Sequence, residues 1–218
     1  MDNIPRFPCG QSCFTLRPMR ILLVEDDLPL AEALTTLLAG AGYAVDCTHD
    51  GLSAEALIGG HGTTYALCRP PGHHAGPDRA GGFCFLNNSA LAATVLRERF
   101  SRVAILDVDL HHGNGTQDIF YYRNDVWTGS LHVDPADFYP FFWGGANEEG
   151  MGEGLGTNVN LPLPLGSDGT AFLEALEQLI ARMEAFRPEA VVIALGLDAH
   201  RDDPLAGMTL ETADFEAV

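Results

Sequence analysis

Short apolar runs alternate with stretches of helical spacing along most of this chain, and together the two patterns predict an α/β fold. Residues 21–24 read as a strand that runs into Glu25, Asp26 and Asp27. Asp27 is placed to cap a helix whose apolar positions Ala31, Leu34, Leu37 and Leu38 share one face. Gly40 and Gly42 end that helix, and residues 43–47 read as a second strand. From about Gly59 onward a different pattern begins, with strands expected over 64–68, 103–109, 127–133 and 190–198. Helices are expected over 88–100 and 168–186. In the second, Phe172, Leu173, Leu176, Leu179, Ile180 and Met183 recur at helical spacing, and Pro188 follows its end. Apolar strands alternating with helices imply a mainly parallel sheet covered on both faces. Residues 1–18 have no periodicity and carry Pro5, Pro8, Gly10 and Pro18, so they read as an irregular tail, with Met19 a candidate start. There is no internal repeat, and residues 144–156 form a glycine-rich loop with several acidic members.

Composition narrows the classes of function. The chain has 218 residues, 46% hydrophobic and 19% charged, which is enough apolar material for a packed core and too little charge for a disordered chain. Its net charge is −18, and all twelve basic residues are Arg. A chain this acidic offers no basic surface for phosphates, so nucleic acid is excluded as a partner; cationic or neutral partners suit it better. The five cysteines, Cys9, Cys13, Cys47, Cys68 and Cys84, form no metal-knuckle spacing and read as free thiols in a reducing compartment. The longest apolar run, residues 190–197, is too short to span a membrane, and the first eighteen residues do not read as a signal peptide. A cytoplasmic location and no membrane partner are therefore expected.

The strongest chemical signal is the run Asp107-Val-Asp109-Leu-His111-His112-Gly113-Asn114-Gly115 directly after a strand. Side chains alternate along an extended backbone, so Asp107, Asp109 and His111 are expected to share one face. Two carboxylates and an imidazole converging there are costly unless a metal or protons compensate them. Open α/β sheets build their ligand sites at the strands' C-terminal ends. The strand over 190–198 also ends in a carboxylate, Asp198, followed by His200. Alone, Asp198 reads as an ordinary turn residue; with Asp109 and His111 it completes an open three-ligand site of the kind a catalytic divalent metal needs. A second constellation is Arg69-Pro70-Pro71-Gly72-His73-His74-Ala75, in which prolines and glycine fix a loop carrying two adjacent imidazoles. Beside a metal such a pair can supply a general base and an acid or electrostatic partner.

RPPGHHA, GGFCFLNN, ILDVDLHHGNGTQDIF and LGLDAHRDDPLAG, in that order, resemble the zinc-dependent histone deacetylase and acetylpolyamine amidohydrolase family over about residues 59–216. The resemblance implies an arginase/deacetylase α/β fold and hydrolysis of an N-acetyl amide on a lysine side chain or a polyamine. Carried over by motif, Asp109, His111 and Asp198 would hold zinc. His74 would be the general base, oriented by Asn114, and His73 its electrostatic partner, oriented by Asp107. Gly82 and Phe83 would line a narrow substrate channel with Tyr139 opposite. Asp107, Asp109, His111, Ser130 and Leu131 match the positions of a structural potassium. The family usually adds a tyrosine from a glycine-rich segment well after the third metal ligand. No such segment follows Asp198 here, so a domain truncated at both ends and little turnover are expected.

Residues 19–58, in the order strand, acidic cluster, helix, strand, resemble the opening of a response-regulator receiver domain. Glu25 and Asp26 match its magnesium-binding acidic pair. However, no strand ending in aspartate lies between residues 52 and 63 and the chain has no lysine, so phosphoryl switching is not expected. A two-metal arginase-like enzyme is disfavoured because Gly113 stands two residues after His111, where a second metal-binding carboxylate would be needed. A non-catalytic metal-binding relic is the remaining alternative. The expected organisation is a tail over 1–18, a partial receiver-like segment over 19–58 and a truncated deacetylase-family domain over 59–218.

Overall fold

The computed structural model describes residues 20–24, 32–33, 35–36, 39–40, 44–48, 66–68, 71–205 and 207–217. The acidic residues 25–27 of the receiver-like motif, and Arg69 and Pro70 of the histidine motif, lie outside them. The chain forms two compact units, Met1–Leu67 and Cys68–Val218. In the first, β1 (Arg20–Val24) pairs in parallel with β2 (Ala44–Thr48) on one side and with β3 (Ala66–Leu67) on the other. Helical backbone occurs between β1 and β2.

The second unit is built on a parallel sheet in the order β6-β5-β4-β7. Its strands are β4 (Val103–Asp107), β5 (Val126–Val133), β6 (Asn158–Leu163) and β7 (Ala190–Ala194). Every residue of β4 and β5 is buried, as the continuous apolar run of β4 requires of a central strand covered on both faces. On one face, α3 (Gly169–Phe186) packs Phe172, Leu176 and Leu179 against Ala104, Leu106, Trp127 and Leu131. Each such side chain contributes roughly 1.5–3 kcal/mol by leaving water. On the other face, Ala90 and Ala93 of α1 (Asn88–Leu96) and Phe120 of α2 (Asn114–Phe120) cover Val103, Ile105 and Val126. The caps agree with local chemistry: Asn87 accepts from the Ala90 amide at 2.9 Å and Asp168 from the Ala171 amide at 3.0 Å. A short helix, α4 (Thr212–Phe215), follows the last loop. No helix among the described residues is long and apolar enough to cross a membrane.

Three expectations are corrected. The strand expected to run to Asp109 stops at Asp107, because two successive carboxylates turn the backbone out of the sheet. Asp107 Oδ1 accepts from the Asp109 amide at 3.2 Å, and Asp109 Oδ1 accepts from the His111 amide at 2.8 Å. Likewise β7 stops at Ala194 rather than Asp198, and α1 stops at Leu96 rather than Phe100, where Arg97 turns away to bind Asp125 at 2.7 Å. Three elements, α2, β6 and the short α4, lie where no helix or strand was expected.

Candidate metal centre and active site

The carboxylate turns replace strand alternation as the device that gathers the ligands. They bring Asp109 and His111 round towards the end of β7, whose next residues lead to Asp198. Asp198 Oδ1 accepts from the Leu110 amide at 3.0 Å, which ties the two loops together. His111 Nδ1 lies 3.2 Å from Asp109 Oδ1 and 2.8 Å from Asp198 Oδ2. One ligand atom from each of Asp109, His111 and Asp198 falls within 4.8 Å of the others. Gly196 makes room for this: a Cβ there would sit 2.1 Å from Asp109 Oδ2. His200, the fourth residue noted beside this strand end, serves elsewhere, stacking on Phe215 and meeting the Thr212 hydroxyl at 3.3 Å.

His73 and His74 sit on the turn expected for them, buried with ring centroids 4.0 Å apart. Their partners differ. His73 Nδ1 meets Asp107 Oδ2 at 2.9 Å, and its Nε2 lies 3.7 Å from Asp109 Oδ1. His74 Nδ1 donates to Asn114 Oδ1 at 2.7 Å, which leaves Nε2 as an acceptor. Burial opposes charge on His73, but Asp107 and Asp109 outweigh it and raise its pKa to about 9. Burial, reinforced by the charge of His73, lowers His74 to about 4 despite the Asn114 bond. His111 is raised to about 9, because its bonds to Asp109 and Asp198 overcome burial. Adjacent imidazoles with opposite protonation preferences are the arrangement that acid and base roles require.

The remaining candidates surround this pair. Gly82 has φ +53, and a Cβ on it would lie 2.1 Å from His74 Cδ2, so the backbone presses directly on the imidazole. Phe83 follows at φ +63 and is 87% exposed. The Tyr139 ring stands edge-on to His74 at 5.0 Å and to His111 at 6.1 Å. Asp107 pairs with Ser130 in the β4–β5 register, and Leu131 follows. Sequence reasoning missed Phe138, whose ring lies 5.2 Å from that of His111, and the close packing at Gly113, where a Cβ would meet Asp107 Oδ2 at 2.3 Å. It also missed a polar chamber behind Asp107, about 10 Å³ and so roughly one water in size, walled by His112, Gln117, Thr128, Asn158 and Asn160. Asn158 and Asn160 on the polar face of β6 form part of that wall, while Val159, Leu161 and Leu163 alternate with them and pack against the core, a period-two signal that could have found the strand.

Comparison with known proteins follows the same lines. The family model for the histone deacetylase domain matches residues 17–218, so the match takes in the receiver-like segment as well as the part from residue 59. Acetylpolyamine amidohydrolase of Burkholderia pseudomallei is 52% identical over 163 residues, covering 75% of this chain and 48% of that protein. A histone deacetylase-like amidohydrolase of Pseudomonas aeruginosa is 43% identical over 181 residues, covering 82% of this chain and 46% of its own length. The crystal structure of the Burkholderia pseudomallei acetylpolyamine aminohydrolase superposes with a TM-score of 0.74 at 51% identity, covering 76% of this chain and 49% of that one. An HDAC homologue from Aquifex aeolicus superposes at 0.67 with 38% identity, covering 75% of this chain and 44% of that one. The chain thus spans about half the length of the curated relatives it matches. With the fold, the motif order and the family match in agreement, this chain belongs to the histone deacetylase and acetylpolyamine amidohydrolase family.

Proposed function

We propose that this chain carries the zinc-binding, proton-transferring part of an amidohydrolase acting on acetylated polyamines or acetyl-lysine side chains. The observation that carries the reading is the convergence of Asp109, His111 and Asp198, within 4.8 Å, beside the His73–His74 pair. Two carboxylates and one imidazole suit zinc in chemistry and number, and they leave room for water and substrate. Bound there, zinc would supply Lewis-acid polarisation of the amide carbonyl and a lower pKa for water.

The chain's own residues account for the proton traffic. His74, neutral and held by Asn114, accepts through Nε2 the proton of the water that attacks the amide carbon, a contribution of roughly 10²- to 10⁴-fold. His73, charged against Asp107, places positive charge beside the developing oxyanion and donates a proton to the departing amine. Gly82, pressed on the His74 ring, and Tyr139, edge-on to it, flank the pair, and with Phe83 they would line the path of the acyl chain. The acidic body favours a cationic polyamine, and the relatives of 44–52% identity named acetylpolyamine amidohydrolases point the same way. The potassium set of Asp107, Asp109, His111, Ser130 and Leu131 belongs to the same proposal, supported by the Asp107–Ser130 register. So does a cytoplasmic location, supported by the free thiols of Cys68 and Cys84. The partial receiver reading of residues 19–58 rests on the parallel β1–β2 pair with helical backbone between, an arrangement the family match from residue 17 also covers.

Zinc stoichiometry tests the central point. The protein should bind about one zinc, and Asp109→Ala or Asp198→Ala should abolish that binding. Unchanged stoichiometry in both variants would refute the ligand assignment. Comparing an acetylated diamine with an acetyl-lysine peptide as substrates then separates the two substrate classes.

A further inference from the structure

Among the described residues, four that are not glycine have positive φ. Arg187 is one, and it caps the C-terminal end of α3. The other three are phenylalanines: Phe83 at φ +63, Phe141 at +41 and Phe142 at +66. Left-handed backbone is costly for a bulky side chain, and strain of this kind gathers where a ligand is held. The latter two are fixed there, the Phe141 amide donating to the Phe138 carbonyl at 3.1 Å and the Phe142 amide to the Pro135 carbonyl at 2.9 Å. Their rings continue a path that starts at the histidine pair. Ring to ring, Tyr139 stands 5.0 Å from His74, Phe141 6.4 Å from Tyr139, and Phe142 6.4 Å from Phe141. Exposure rises along that path, from 37% at Tyr139 through 50% at Phe141 to 82% at Phe142. The backbone is thus strained to turn apolar rings towards solvent, the opposite of what burial alone favours.

Charge and a neighbouring contact indicate what these rings receive. The stretch from Asp134 to Gly156 carries five carboxylates, Asp134, Asp137, Glu148, Glu149 and Glu153, and no basic residue. The next ring, Trp143, already takes a cation on its face: Arg79 Cζ lies 4.6 Å from its centroid, with the guanidinium also bound to Asp118 at 2.9 Å. Ring faces carry the negative part of the aromatic quadrupole, so two adjacent exposed rings in an acidic stretch suit an ammonium group. We propose that Phe141 and Phe142 form a cation subsite, receiving the free ammonium of an acetylated polyamine whose amide lies beside His74. The proposal rests on the amidohydrolase reading and concerns the end of the substrate that the metal centre does not touch. An acetylated lysine side chain continues into neutral peptide backbone instead, so the subsite selects the polyamine.

The test titrates the protein with N-acetylputrescine and with N-pentylacetamide, in which a methyl group replaces the ammonium. At about 0.15 M salt the field of the acidic body is screened beyond ~8 Å. The charged ligand should bind about threefold or more tightly than its neutral counterpart. Phe141→Leu and Phe142→Leu keep apolar bulk but remove the ring face, so each should cut that preference at least about twofold. Phe142 is mostly exposed, so its variant keeps the fold, with far-ultraviolet circular dichroism as the check. Tetramethylammonium, which has no amide, should shift the Phe141 and Phe142 ring resonances as well. A preference unchanged in both leucine variants would overturn the subsite and assign the effect to net charge. Equal or tighter binding of N-pentylacetamide would overturn it too, as would ring resonances that respond to neither cation at ~30 mM. Shifts with tetramethylammonium, but no binding of either amide, would support the cation subsite and overturn the amidohydrolase reading instead.

Discussion

Gly115→Ala is expected to push α2 away from the histidine turn and to cost both stability and the alignment of His74. A Cβ at position 115 would lie 2.3 Å from the Ala75 carbonyl oxygen, 2.4 Å from its carbon and 2.5 Å from the His74 carbonyl carbon. All three are backbone atoms, so no side-chain rotation relieves the overlap, and a whole element must shift by about an ångström. That shift strains a dense set of bonds. The Thr116 amide donates to the His73 carbonyl at 3.0 Å, Asn87 Nδ2 donates to the Ala75 carbonyl at 3.0 Å, and His74 Nδ1 donates to Asn114. Overpacking of this kind costs roughly 1–3 kcal/mol or more, and an ångström of misplacement near a reacting group costs about 10²-fold in rate. Thermal denaturation and the histidine resonances of the variant check this. Unchanged stability together with an unshifted His74 signal would show that the close approach is not tight.

The second large effect is acid sensitivity from a histidine that is not one of the proposed zinc ligands. His132 is fully buried, with Nδ1 accepting from the Ser130 hydroxyl at 2.9 Å and Nε2 donating to the Gly144 carbonyl at 3.0 Å. Both ring nitrogens are thus satisfied in the neutral form, and burial lowers the pKa to about 4. His112 lies 4.6 Å away, ring to ring, and is also pushed down by burial and by His132. The folded pKa is below the unfolded value of about 6.5, so between those values the unfolded chain binds a proton that the folded chain refuses. The stability contribution is therefore complete above about pH 6.5 and falls away as the pH drops towards 4. For His132 the loss is on the order of 3 kcal/mol. Urea denaturation across this range should show a slope against pH that becomes shallower in His132→Gln, by up to about 1.4 kcal/mol per pH unit. An equal slope in the variant would mean that His132 takes up its proton without unfolding.

How much of this was legible in the sequence depends on what kind of interaction made each element. Helix α3 was readable to within a residue, because its apolar stripe and the Asp168 cap are local features. Strand β4 was readable where it is apolar and misjudged where Asp107 and Asp109 act on their own backbone, since a carboxylate turn leaves no mark on hydrophobic periodicity. Helix α2 begins Asn114-Gly115 and strand β6 contains Asn158, Asn160 and Pro162, residues that disfavour the elements they occupy. Packing holds those two in place: Asn158 and Asn160 both donate to Gln117 Oε1, at 2.9 and 2.8 Å.

The motif residues were likewise evident as types, two carboxylates and two sets of imidazoles with a fixed local order. The sequence by itself determined an acidic α/β chain of this family, with Asp109, His111, His73, His74 and Asp198 as the groups with chemistry to offer. It did not determine that His111 and Asp198, 87 positions apart, meet at 2.8 Å. The tertiary structure decided that, because β4 and β7 lie side by side in parallel with Asp107 opposite Ala194. Parallel pairing puts the C-terminal ends of distant strands next to each other, so the loops leaving them converge on a common point.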